Sequence, residues 1–93
     1  HLFFSLLAIA LSLILKISFI ELSIIFIMIA IVLVLEIINT IIENIMDFLC
    51  KDYNLSVKLI KDMAAGAVLV SAFIAIIVGI LIFIPKIIVF IGD

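Results

Sequence analysis

Four residues near the middle of this 93-residue sequence are of types that could do chemistry together: Glu36, Asn39, Glu43 and Asp47. At about 100° per helical residue they fall near 0°, −60°, −20° and +20° relative to Glu36, so one narrow helix face carries three carboxylates and an amide. The fourteen residues Leu22 to Leu35 that precede Glu36 carry no charge. On a helix they span about 21 Å against a hydrocarbon core of about 30 Å, which places Glu36 below the membrane surface and Glu43 near the headgroups. Polar groups at such depth are expensive and mark function. An acidic face running from lipid into water is a place where a membrane-bound hydroxyl and a water-soluble nucleotide can meet. The plainer reading is a solvated helix end; it fits Asp47 most readily and Glu36 least. Glu21, in a turn beside Lys16, reads as a solvated acid.

A second cluster follows at Lys61-Asp62-Met63-Ala64-Ala65-Gly66-Ala67. Lys61 and Asp62 are expected at the start of a helix, where unpaired N–H groups favour anions and a lysine adds a mobile cation for phosphate. A snorkelling interfacial anchor is the simpler account of Lys61. The small residues after it predict close helix packing rather than ligand contact.

Three apolar stretches must position these groups. They predict helices over about 2–17, 22–49 and 62–84, with a tight turn from Lys16 to Glu21, a polar connection from Lys51 to Lys61, and Pro85 closing the last helix. The composition agrees with membrane immersion: 71% of residues are apolar and the mean hydropathy is +1.81. A soluble domain of this size has too small a core to hide that surface. The expected fold is an all-α membrane protein with three transmembrane helices, forming one domain over residues 1–93. Lys51, Lys58 and Lys61 gather in the middle connection, against Lys16 and Lys86 elsewhere. The positive-inside rule puts that connection in the cytoplasm.

Several classes are excluded or disfavoured. A net charge of −2 supplies no basic footprint for nucleic acid. The single cysteine, Cys50, allows no internal disulfide and no multi-cysteine metal site, and reads as a free thiol without a role. His1 lacks the clustered partners of a metal site. The sequence enters its first apolar run at once, without a basic n-region or a small-residue cleavage site, so that run is not a signal peptide and the chain is expected to be a piece of something longer. No Gly-rich loop with Gly-Lys-Ser/Thr is present, nor any soluble kinase motif set.

Glu36-Ile-Ile-Asn39-Thr40-Ile-Ile-Glu43-Asn-Ile-Met-Asp47, followed by Lys61-Asp62-Met63-Ala64-Ala65-Gly66-Ala67-Val68, resembles the prokaryotic diacylglycerol kinase family, which includes undecaprenol kinases. The resemblance covers residues 1–84. It implies a homotrimer that phosphorylates a membrane lipid alcohol, undecaprenol or diacylglycerol, using ATP and Mg²⁺ at the cytoplasmic face of the bacterial cell membrane. It places Glu36 on the catalytic base, Asn39 on a supporting amide of the nucleotide site, and Glu43 on a metal and nucleotide ligand. Lys61 and Asp62 fall on nucleotide-phosphate contacts, and Asp52, Tyr53 and Asn54 on a loop that contacts ATP. It also implies an amphipathic surface helix ahead of His1, carrying a second metal carboxylate, which this sequence does not contain. Two residues depart from the pattern: Ile41 stands where a small residue is usual, and Asn54 where a histidine is usual.

The chemistry is consistent with that resemblance. A lipid hydroxyl is a poor nucleophile and needs a carboxylate to take its proton. Mg²⁺ takes one or two carboxylates plus phosphates, and phosphoryl transfer needs positioning and charge neutralisation. The competing class is a non-enzymatic oligomeric membrane protein, such as a small channel, pore former or assembly subunit, whose acidic face lines a cation path. Against it, Leu22 to Leu35 offers no polar stripe across the bilayer.

Overall fold

The computed structural model of the chain describes residues 2–52 and 54–92. It consists of three helices in chain order, α1 (Leu2–Ile14), α2 (Phe19–Leu49) and α3 (Leu55–Gly92). α2 and α3 are each long and apolar enough to cross a membrane, whereas α1 is a shorter apolar helix. The 38 residues of α3 account for most of the 60 Å length of the molecule at 1.5 Å per residue.

Four of the six predicted helix ends shift, while Leu2 and Leu49 hold. α1 stops at Ile14 because Lys16 turns left-handed, with φ 55°. The Ile17 N–H then reaches back to the Ser12 carbonyl at 3.3 Å, the 6→1 bond of a Schellman cap. A lysine in that conformation costs about 1 kcal/mol that glycine would not. α2 starts three residues earlier than predicted because Ser18 and Glu21 form a capping box. The Ser18 hydroxyl oxygen accepts from the Glu21 N–H, and the Glu21 carboxylate accepts from the Ser18 N–H, both at 3.1 Å.

α3 departs most from expectation. It begins at Leu55, not near residue 62, because the Asn54 side chain caps it: Oδ1 accepts from the N–H groups of Ser56 at 2.9 Å and Val57 at 3.3 Å. Its far end runs through Pro85 to Gly92, so Pro85 does not close the helix. Proline removes the one bond to the Leu81 carbonyl at a cost of about 3 kcal/mol, and the helix absorbs that loss and continues.

α2 packs along α3, and α1 makes a smaller contact with α2. The shared core is thin: Ile25, Val32 and Ile82 are the buried apolar residues among those described. Large apolar side chains such as Phe19, Phe48, Leu69 and Leu81 point outward, as a lipid-facing surface requires. Among the described residues the buried polar ones, Ser12 and Ser71, satisfy their hydroxyls on their own helices, donating to the Ala8 and Val68 carbonyls at 2.7 and 2.8 Å.

If the capping box sets where α2 begins, Ser18→Ala lowers the unfolding free energy by about 1 kcal/mol, while Ser18→Asp retains it. SDS titration in mixed micelles measures this. An unchanged midpoint for Ser18→Ala would show that the cap has no weight.

Candidate functional site

Two ion pairs register α2 against α3. At one end Lys86 Nζ lies 3.4 Å from Glu21 Oε1; at the other Lys61 Nζ lies 2.8 Å from Asp47 Oδ1. The pairs are 26 residues apart on α2 and 25 on α3, so the helices run antiparallel without slippage. Glu21 is therefore neither a free solvated acid nor a partner of Lys16. It ties the start of α2 to the segment of α3 beyond Pro85.

This register sets depth. The uncharged stretch Met63–Pro85 of α3 runs about 34 Å, enough for a hydrocarbon core of about 30 Å. Measured from Glu21, a 30 Å core ends near Ile41 on α2, so Glu36 lies about 8 Å inside it, with Asn39 at the edge and Glu43 just outside.

The acidic face looks into the protein. Glu36, Asn39 and Glu43 are half-buried and continue the α2 stripe that carries buried Ile25 and Val32 toward α3. Asn39 Nδ2 donates to Glu43 Oε1 at 2.8 Å, a charge-assisted bond between residues one turn apart. Asn39 Oδ1 is buried and meets no donor among the described residues. The carboxylate of Glu36 makes no hydrogen bond there either, although its backbone carbonyl accepts from Thr40 Oγ1 at 3.1 Å. A buried acceptor without a donor costs free energy until something supplies one.

Along α2, Glu36 falls between two different spaces without lining either, four residues after the last groove residue, Val32, and eleven before the first cleft residue, Asp47. On the lipid side an apolar groove of about 400 Å³ runs between the three helices, lined by Ala8, Ile25, Val32, Ala72, Gly79 and Phe83 among others. Val32, one helical turn before Glu36, marks its near end. On the water side a polar cleft of about 320 Å³ gathers Lys51, Lys58 and Lys61 with Asp47, Asp52 and Asp62, and also touches Cys50 and Asn54.

The structure brings Asp52, Asn54, Lys61 and Asp62 together at this cleft, with Glu43 and Asn39 further inward on α2. Tyr53 and His1 lie outside the described residues. Two expectations change. Lys61 and Asp62 sit two turns inside α3, so their N–H groups are not the free donors of a helix start; Asn54 takes up two of those that exist. Asp62 is held by Lys58 at 2.6 Å within the same helix. Ile41, half exposed on the outer side of α2, crowds nothing within the chain. Sequence reasoning missed the Ser18 box, the Asn54 cap and both cross-helix pairs. Ser-x-x-Glu at residues 18–21 was a readable signal for the first.

Among the described residues no three His, Cys, Asp or Glu side chains converge as a protein-only metal cage. The oxygen donors present, the Glu43 carboxylate and the unpaired Asn39 Oδ1, suit Mg²⁺, which takes few protein ligands and completes its shell with phosphates and water.

The sequence profile of the prokaryotic diacylglycerol kinase family matches residues 1–83. This chain belongs to that family. Among curated proteins it is similar to the undecaprenol kinase of Bacillus subtilis (strain 168), 41% identical over 73 residues that cover 78% of this chain and 59% of that relative. The chain thus spans 59% of the length of the relative it matches. No solved structure matches it. Glu36, Asn39, Glu43, Asp47, Lys61 and Asp62 all fall inside the family match.

Proposed function

We propose that this chain is the membrane core of a lipid kinase that transfers the γ-phosphoryl group of ATP to the hydroxyl of a membrane lipid alcohol. The observation that carries the reading is the position of Glu36, half-buried below the membrane surface between an apolar groove and a lysine-lined polar cleft. A lipid with its tail in the groove presents its hydroxyl one turn beyond Val32, at Glu36. A nucleotide in the cleft presents its phosphates from the other side. The relative's name favours undecaprenol over diacylglycerol as the alcohol.

Glu36 takes the proton as the hydroxyl oxygen attacks the γ-phosphorus and the bond to the ADP oxygen breaks. Its carboxylate has no competing hydrogen bond among the described residues, which leaves it able to accept that proton. Glu43 would hold Mg²⁺, which would supply neutralisation of phosphate charge at the site. Asn39 orients Glu43 through Nδ2. Lys61 supplies the fixed positive charge at the phosphates.

We read α1 as a third span, the cleft as cytoplasmic and the working unit as a homotrimer. Gly66 supports the last point. A Cβ built there meets nothing within 4 Å, so the small-residue surface of α3 around it has room for another helix.

The direct test is radiolabelled ATP in vesicles carrying undecaprenol or diacylglycerol, with rates taken against ATP and Mg²⁺. Glu36→Gln drops kcat about 100-fold or more with little change in nucleotide affinity. Glu43→Gln raises the Mg²⁺ and ATP needed, and excess Mg²⁺ partly restores it. Labelling of neither lipid rules the kinase out, and near-normal kcat in Glu36→Gln rules out this base.

Orientation is read from Cys50, which borders the cleft. An impermeant thiol reagent labels it in inverted vesicles and not in intact cells; strong labelling of intact cells reverses the topology. Chemical cross-linking in mild detergent saturates at three copies, and a fully active monomer would refute the trimer.

A further inference from the structure

Asp47 lies one turn beyond Glu43 on α2, so two roles are open to it: a second carboxylate for the metal, or a partner for a basic group. The structure separates them. Asp47 Oδ1 accepts from Lys61 Nζ at 2.8 Å, across to the other helix, so its carboxylate is already committed to a basic group. Of the three lysines lining the polar cleft, Lys61 alone is half-buried, and Lys58 is engaged within its own helix by Asp62. We infer that Asp47 is the positioning residue that aims Lys61 into the cleft, and that it contributes no bond to the metal.

The physical reason lies in the side chain of lysine. Its ammonium sits on a flexible four-carbon stem and carries three donors. Unrestrained, it samples many rotamers, few of which point at a phosphate between α2 and α3. With one donor fixed on Asp47, the stem is ordered and two donors remain for phosphate oxygens. The register places Lys61 about two turns outward of the level of Asn39, so a phosphate reaching toward Glu36 from the water passes it. Stability is a poor explanation for the pair. The Asp47 side chain is 65% exposed and that of Lys61 35%, and pairs this open add little to folding.

The inference rests on the kinase reading and on Lys61 as a phosphate contact. Its test is a double-mutant cycle of Asp47→Asn and Lys61→Met in the full chain in lipid vesicles, with Asp47→Glu alongside. Asp47→Asn raises the KM for ATP about five- to tenfold, the scale of one ordinary hydrogen bond, and leaves kcat within about twofold. Excess Mg²⁺ does not restore it, Asp47→Glu largely does, and Asp47→Asn adds nothing in the Lys61→Met background. A normal or lowered KM in Asp47→Asn overturns the inference, as does rescue by Mg²⁺ or an undiminished effect without Lys61. If Lys61→Met itself leaves KM unchanged, the assignment of Lys61 falls, and the role of Asp47 with it. If Lys61→Met is impaired and Asp47→Asn is silent, only the positioning role falls. SDS unfolding midpoints close to wild type exclude misfolding as the cause of any loss.

Discussion

The cost of a charge in hydrocarbon organises this molecule. A carboxylate at the depth of Glu36 must turn toward protein, because lipid offers neither hydrogen bonds nor counter-charge. That requirement selects which face of α2 meets α3. The stripe that buries Ile25 and Val32 is the one that continues into Glu36, Asn39 and Glu43. Apolar packing and the polar site are therefore one helix–helix contact, with its composition changing along the membrane normal.

The same constraint explains where the remaining charges settle. Glu21 and Lys86 meet at one end of the α2–α3 pair, Asp47 and Lys61 at the other, and the apolar spans lie between them. Neither pair needs to be strong. Because side chains on an antiparallel helix pair meet only in certain registers, two weak pairs some 25 residues apart define the sliding position more sharply than a thin apolar core does. The long uncharged stretches of α2 and α3 follow from keeping backbone groups bonded across the lipid, and Asn54 caps α3 once water is reached.

One buried atom stands outside this accounting. Asn39 Oδ1 has no donor among the described residues, although its amide nitrogen is committed to Glu43. One turn away, the Glu36 carboxylate likewise accepts no hydrogen bond among the described residues.

The sequence by itself determined the helical class and the approximate spans, since about twenty apolar residues have one solution in lipid. It also determined the common face of Glu36, Asn39, Glu43 and Asp47, which depends only on the helical repeat, and the family, carried by two motifs in order. Only the tertiary structure decided what those side chains meet. Asp47 reads in sequence as a solvated acid because its partner is fourteen residues away on another helix; Glu21 reads as a neighbour of Lys16 because Lys86 is distant in the chain. The start of α3 was obscured by Ser56 and Lys58, polar residues that suit a loop and equally suit the exposed side of a capped helix turn. Local periodicity reports which residues share a face. Pairing across helices depends on the register, and the register emerges only when both helices are placed side by side.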